Sequence, residues 1–82
     1  MLSYEPGMLV KSLAGHDKGK LYIIIEEKDQ MLLLSDGRIR TMDRPKAKKA
    51  MHVQLIKRKL EDVELTDISI RSFIKQYQKE QM

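Results

Sequence analysis

The chain has 82 residues, a formal net charge of +4 at pH 7 and no cysteine. This length predicts one domain with a modest core and leaves little room for a deep substrate cleft. The absence of cysteine excludes disulfides and thiolate metal sites. Residues 1–6 lack the basic start and apolar stretch of a secretory signal, and no apolar run approaches the length of a membrane span, so we expect a cytoplasmic protein that does not contact a membrane.

The first three strands are predicted in the N-terminal part of the chain. A strand-like stretch at 8–13 is followed by a polar turn at 15–20 and by the segment 21–25. The β-branched residues of 21–25 favour a strand because they pack well on a pleated surface and lose freedom in a helix. After a polar connection at 26–30, the apolar run 31–34 is too short for a helix and predicts a third strand.

Two further strands are predicted after an Asp-Gly pair at 36–37. This pair predicts a hairpin, because a type I′ turn needs positive φ at both central positions. Residues 38–42 alternate between polar and apolar, as a half-buried strand does. Pro45 interrupts the alternation, so 45–50 is predicted as a loop, and 52–56 could form a closing strand.

These elements predict a mainly β fold with one C-terminal helix. Five short strands with brief connections favour a small closed or nearly closed barrel, because closure removes sheet edges. Thr66 is a plausible N-cap for a helix over 67–80, and Asp67 lies at the favourable end of its dipole. We therefore divide the chain into a barrel over 4–57 and an acidic connection with a helix over 58–82.

The predicted helix carries one apolar stripe, formed by Ile70, Phe73, Ile74 and Tyr77 at helical spacing. The strands at 22–25 and 31–34 are more apolar than simple alternation requires, so their second face needs a cover. The stripe fits that cover, and it equally fits a groove on a partner. We predict that the helix packs on its own barrel.

Charge is unevenly distributed along the chain. Nine basic residues and one acidic residue, Asp43, lie between positions 38 and 59. The basic residues are Arg38, Arg40, Arg44, Lys46, Lys48, Lys49, Lys57, Arg58 and Lys59. Acidic residues follow directly, at positions 61, 62, 64 and 67. This asymmetry points to a polyanionic partner, although the same charges also suit a solvated surface.

A glycine-centred β-turn-β pattern lies at residues 7–25. Its residues are Gly7, Val10, Ser12, Gly15, Asp17, Lys18, Gly19, Tyr22, Ile23 and Ile24. This pattern resembles the KOW motif of several ribosomal proteins and transcription elongation factors. Segments 34–40, 45–52 and 65–71 are similar to later parts of short bacterial KOW-domain RNA-binding proteins, which are similar to KOW-bearing large-subunit ribosomal proteins of archaea and eukaryotes. The resemblance covers most of the chain, from about residue 6 to residue 77.

The resemblance implies an SH3-like barrel of the KOW type, RNA binding and a role in translation. We accordingly expect a ribosome-associated, ribosomal protein-like chain whose partner is structured ribosomal RNA, with ribosomal proteins as further neighbours. We expect a monomer. The alternative is a module that docks on proteins of the transcription or translation machinery through the apolar helix face and the acidic stretch 61–67.

Candidate RNA contacts lie first in the turn at 15–20. His16, Lys18 and Lys20 are predicted to contact phosphate, while Gly15 and Gly19 permit the turn geometry. The Asp36-Gly37 pair has the same structural role in its own turn. Asp17 repels phosphate and is expected to accept hydrogen bonds from amides of its own turn.

The stronger candidates follow Gly37. Arg38 and Arg40 are two apart on a predicted strand, so both would point to one side. A loop stiffened by Pro45 would then present Arg44, Lys46, Lys48 and Lys49. Such a basic edge can follow a phosphate backbone, because arginine forks onto two oxygens and lysine acts as a mobile point charge.

Catalysis is not expected. His16 and His52 have no cysteine with which to build a metal site, and no nucleophile elbow, phosphate-binding GKS/T loop or paired-carboxylate pattern is present. We predict neither an enzyme nor a cofactor or metal site.

Overall fold

The computed structural model describes residues 3–82, so Met1 and Leu2 of the predicted non-secretory N-terminus lie outside it. Five strands precede one helix. The elements are β1 (Met8–Ser12), β2 (Leu21–Lys28), β3 (Met31–Ser35), β4 (Lys46–Lys49), a 3-10 turn (Ala50–His52), β5 (Val53–Lys59) and α1 (Asp67–Glu80). All neighbouring strands are antiparallel, in the order β4-β3-β2-β1-β5.

The mainly β fold with five strands and a C-terminal helix is confirmed, and the closed barrel is wrong. The sheet is open, because, among residues 3–82, β4 pairs only with β3 and β5 pairs only with β1. The chain passes from β4 to β5 through the three residues Ala50–His52, and β5 then crosses to β1 instead of pairing with β4. Two strands therefore remain as edges of the sheet.

The fourth strand lies later in the chain than the alternation at 38–42 predicts. Residues 38–42 form bends and turns, and β4 lies inside the predicted loop 45–50. Asp36 explains the difference, since its Oδ1 accepts hydrogen bonds from the backbone N–H groups of Arg38 and Arg40, both at 2.9 Å. Those two amides are thereby satisfied locally and are not offered to a neighbouring strand.

The tight hairpin with two positive φ angles also lies elsewhere. Asp29 and Gln30, between β2 and β3, have φ of 51° and 69°, whereas at 36–37 only Gly37 has a positive φ, of 74°. Lys28 pairs with Met31 across the first of these turns. The two-residue connection therefore joins β2 to β3, and the predicted type I′ turn at Asp36-Gly37 is wrong.

The sheet is buried on both faces. The inner face contains a cluster formed by Val10, Tyr22, Ile24, Leu32, Leu34, Ala50 and Val53. On the outer face, Leu9 and Ile23 pack against Ile70 and Ile74 of α1. Because successive strand residues point to opposite faces, the apolar run of β2 serves both clusters at once. The predicted packing of the helix on its own sheet is confirmed.

The sheet curls so that its β4 edge approaches the turn between β1 and β2. Lys48 Nζ of β4 donates a hydrogen bond to the carbonyl oxygen of Ala14, in the turn after β1, at 3.0 Å. In a flat sheet, two strands would separate these groups. This curvature brings the turn and β4 into one structural unit.

The helix has the predicted bounds and is held at both ends. Thr66 caps its N-terminus, because its hydroxyl accepts from the N–H of Ser69 at 3.0 Å while Ser69 Oγ accepts from the N–H of Thr66 at 2.9 Å. Near the other end, Arg58 of β5 pairs with Glu80 and lies 5.5 Å from the ring centroid of Tyr77. No helix within residues 3–82 combines the length and apolarity needed to cross a membrane.

Candidate functional site

A buried carboxylate organises the β1–β2 turn. Asp17 is only 7% exposed, and its oxygens accept hydrogen bonds from the hydroxyls of Ser12 at 2.8 Å and Tyr22 at 2.9 Å. The ammonium groups of Lys48 and Lys46 lie 3.1 Å and 3.3 Å from the same carboxylate. Asp17 therefore bonds side chains of β1, β2 and β4 and not, as the sequence suggests, amides of its own turn.

The surroundings of Asp17 keep it ionised. Burial by itself raises the pKa of Asp17, but hydrogen bonds from Ser12, Lys48, Tyr22 and Lys46 together outweigh it and place the pKa well below its ordinary value of 3.8. Burial, followed by the hydrogen bond to this carboxylate, raises the pKa of Tyr22 far above its ordinary value. Asp17 thus forms two structural ion pairs, with Lys46 and Lys48, beside the inner core.

The predicted basic edge is divided by β4. Lys46 and Lys48 lie opposite Leu34 and Leu32, so they share the inner face and point to Asp17. The side chain of Lys48 is only 9% exposed. Lys49 alternates with Lys48 and lies on the opposite face of β4. The structure thus gives Lys46 and Lys48 a structural partner and separates them from Lys49.

A different basic surface lies between the β1–β2 turn, the loop after β3 and α1. These elements enclose an open groove of about 1100 Å³. Four basic residues line it, namely Lys20, Arg38, Arg71 and Lys75, and Asp36 is the one acidic residue among the lining residues of the described chain. Two backbone hydrogen bonds to Asp36 Oδ1 fix this carboxylate in place but leave its single negative charge against four positive ones. The groove therefore offers an excess of positive charge to a ligand.

Three elements position these four cations. Lys20 ends the turn that precedes β2, and Arg38 lies on the loop that follows β3. Arg71 and Lys75 are four residues apart in α1, so both project from one side of the helix. Two of the predicted phosphate contacts, Lys20 and Arg38, are thus brought together from distant parts of the sequence.

The loop that carries Arg38 is fixed against α1. Arg71 Nη1 donates a hydrogen bond to the carbonyl oxygen of Gly37 at 3.1 Å. A Cβ at Gly37 would overlap the carbonyl oxygen of Asp67 and lie 3.0 Å from the backbone nitrogen of Arg71, so the loop approaches the helix backbone where only glycine fits. The N–H of Met42 also donates to Asp67 Oδ1 at 2.8 Å. Gly37 is therefore needed for this close approach to the helix, and not for the type I′ hairpin that the sequence predicts.

The remaining predicted contacts lie outside this groove. His16, Lys18, Arg40, Arg44 and Lys49 are exposed, and none of them is among the residues that line it. Gly15 and Gly19 have positive φ angles of 86° and 92°, which fits their predicted role in the turn geometry. The predicted phosphate contacts at these five exposed positions stay predictions.

The sequence-based prediction missed the contribution of the helix. Arg71, Lys75 and Gln78 follow one another at positions i, i+4 and i+7 and all line the groove. This spacing marks a polar stripe beside the apolar stripe of the same helix, and it could have been found from the sequence. What the spacing does not reveal is the loop on the other side of the groove.

A second groove, of about 760 Å³ and mainly apolar, runs along β5. Its apolar lining includes Tyr4, Met8, Leu13, Val53 and Leu55, and basic residues of β5 lie at one end. The outer side of β5 pairs with no strand within residues 3–82. This surface is chemically distinct from the basic groove.

No cluster of three or more histidine, cysteine, aspartate or glutamate side chains suited to a metal ion occurs within residues 3–82. Comparison of the chain with family models and with curated proteins found no match. The geometry and charge of the two grooves are therefore the basis for a functional proposal.

Proposed function

We propose that this protein is a non-catalytic RNA-binding module that acts with the ribosome, and that it binds structured ribosomal RNA through the phosphate backbone. The observation that carries this proposal is the basic groove, which Lys20, Arg38, Arg71 and Lys75 line together with a single carboxylate, that of Asp36. Neutralising phosphates by fixed cations releases counterions, and this release drives nucleic-acid binding without reading the sequence.

The two arginines and two lysines have different roles in this proposal. Arginine donates two parallel hydrogen bonds to one phosphate, whereas lysine provides a flexible point charge. One Nη of Arg71 already donates to Gly37, which holds its guanidinium at the wall of the groove and leaves other donors for a ligand. The groove is therefore preorganised for an anionic backbone, since its arginines lie on elements that are bonded to each other.

We further propose that the sheet is of the SH3-like KOW type, without the closed barrel. The glycine-centred pattern at residues 7–25 includes β1, the turn with Gly15 and Gly19, and the first part of β2. Asp17, which belongs to the same pattern, connects that turn to β4. This arrangement supports the proposed KOW type, because the glycine-containing turn of the pattern has a defined position in the sheet.

The groove can be tested by removing three of its charges. We expect the triple variant Lys20→Gln, Arg38→Gln and Lys75→Gln to lower affinity for a structured rRNA fragment on the order of 50-fold at physiological salt. The slope of log affinity against log salt should become shallower by roughly 2 to 3, about 0.7–0.9 for each lost phosphate contact. Arg71 is left intact because it also supports the loop. Fluorescence anisotropy across a salt series measures both quantities.

A matched control removes the same charge from other surfaces. Lys11, Lys28 and Lys79 are exposed and do not line the groove, so replacing all three with glutamine changes net charge equally. This control should retain most of the affinity. Equal losses in the two triple variants would show that only net charge matters, and an unchanged slope in the groove variant would contradict the proposed site.

The second candidate is a protein-docking module. The apolar helix face on which that alternative first depended is packed against the sheet, through Ile70 and Ile74. The observation that now favours docking is the apolar groove beside the free edge of β5. Its occupant would be an extended acidic segment that adds a strand to β5, because Lys57 and its basic neighbours lie at one end.

Site-specific crosslinking distinguishes the two candidates. A photo-crosslinking residue at position 75 tests the basic groove, and one at position 57 tests the β5 groove, each after incubation with ribosomes. RNA binding predicts crosslinks from position 75 to ribosomal RNA and few from position 57. If most crosslinks form between position 57 and a protein, the docking function is favoured instead.

A further inference from the structure

The loop 36–40 presents an unusual tip. Ile39 lies between Arg38 and Arg40, keeps 73% of its surface exposed and lines the edge of the basic groove. An isolated exposed apolar residue is ordinary on a protein surface. Ile39 differs from such residues because hydrogen bonds fix the loop that carries it.

Hydrogen bonds fix the loop on every side of Ile39. Asp36 Oδ1 accepts from the N–H groups of Arg38 and Arg40, and the hydroxyl of Ser35 donates to the carbonyl of Arg40 at 2.7 Å. The N–H of Asp36 donates to the same carbonyl at 3.0 Å. The loop is closed at its base, so its tip has a defined conformation before any ligand is present.

The side chain at the tip is itself stiff. Isoleucine is branched at Cβ and occupies few rotamers, so a contact made by Ile39 orders little that was free before. The tip thus combines an apolar wedge with a cation on each side, held in place by the loop and by α1. A merely solvated loop requires neither the wedge nor the hydrogen bonds that hold it.

Aromatic side chains in this chain are engaged elsewhere. Tyr22 is buried with its hydroxyl on Asp17, Tyr4 packs against the inner cluster, and Phe73 and Tyr77 pack against the outer face of the sheet. Stacking of bases on these rings is therefore not available at the groove. Ile39 is the apolar group that projects beside the four cations.

We propose, on the basis of the proposed function, that this loop recognises an unpaired nucleotide within a structured RNA. Ile39 packs against the face of the displaced base, and Arg38 and Arg40 bind the phosphates on either side. A continuous A-form helix hides its base faces and offers only its backbone and shallow groove, whereas a bulge exposes a base face between two phosphates. Apolar wedges flanked by cations recur where proteins unstack bases.

The test uses two RNA hairpins that differ only in one unpaired nucleotide. The wild-type protein should bind the bulged hairpin more tightly than the fully paired one. Ile39→Ala should lose roughly tenfold in affinity for the bulged hairpin and keep its affinity for the paired one. Ile68→Ala, at an isoleucine that is 66% exposed and outside the groove, should change neither affinity. Both substitutions are at exposed sites and should leave the unfolding transition unchanged.

The outcomes separate this inference from the proposed function. Absence of binding to both hairpins would overturn the proposed function and this inference together. Equal binding to both hairpins, or an Ile39→Ala variant that retains the preference, would overturn the inference and leave RNA binding in place. If Ile39→Ala abolished co-sedimentation with ribosomes but left binding to both hairpins unchanged, Ile39 would contact a ribosomal protein. That result would also overturn the inference.

Discussion

Replacing Asp17 with alanine is expected to lower the free energy of unfolding by about 3–5 kcal/mol. The reason is that the substitution leaves two ammonium groups, on Lys46 and Lys48, beside the inner core without their counter-charge. The hydroxyls of Ser12 and Tyr22 lose their acceptor at the same time. Urea unfolding followed by circular dichroism measures the change through the transition midpoint.

Two variants make this result specific. Asp43 is an exposed carboxylate that accepts a hydrogen bond from Thr41, and Asp43→Ala should change stability by less than about 0.5 kcal/mol. If Asp17→Ala does not fold, Asp17→Asn keeps the shape of the side chain and should lose about 1–3 kcal/mol. An Asp17→Asn variant as stable as the wild type would show that the ion pairs contribute nothing to folding.

The same carboxylate predicts a pH dependence. Because the pKa of Asp17 lies below its ordinary value in the folded protein, the unfolded chain binds more protons in mildly acidic solution. The stabilisation is complete above about pH 5, where the unfolded-state carboxyl is also ionised, and is lost as the pH falls toward the lower folded-state pKa. The difference in unfolding free energy between wild type and Asp17→Asn should therefore narrow from about pH 5 to about pH 2. A difference that stays constant over this pH range would contradict the lowered pKa of Asp17.

Gly37→Ala should lower the free energy of unfolding by at least about 3 kcal/mol and displace the loop that carries Arg38. Two costs add at this position. The φ of Gly37 is 74°, which an L-residue adopts only with strain, and the new Cβ would overlap the carbonyl oxygen of Asp67. Thermal unfolding measures the loss of stability, and the salt series with rRNA measures the effect on binding.

Gly19→Ala separates the two costs. Gly19 has a φ of 92°, but a Cβ there would meet no heavy atom within 4 Å. Its replacement should therefore cost only the backbone strain, about 1–2 kcal/mol, and leave the loop in place. Equal effects of the two substitutions would mean that the approach of Gly37 to the helix is not tight.

The elements that depend only on residues close to one another in the sequence were predictable from it. The bounds of α1 and its Thr66 cap follow from local spacing, and the structure has the same helix. The apolar run of β2 predicted a sheet covered on both faces, which the contacts of Ile23 with Ile70 confirm. In contrast, the alternation at 38–42 was misleading, because one side chain, Asp36, satisfies the amides that a strand would use.

The amino-acid sequence by itself determined the class of fold, four of the five strands, the helix and the excess of positive charge, because each depends on composition or short-range periodicity. Only the tertiary structure decided which cations belong together. Lys46 and Lys48 turn inward because Asp17, some thirty positions away in the chain, lies within 3.3 Å of their ammonium groups. Lys20, Arg38 and Lys75 line one groove because the sheet curls and the helix crosses its outer face, and no local pattern contains that information.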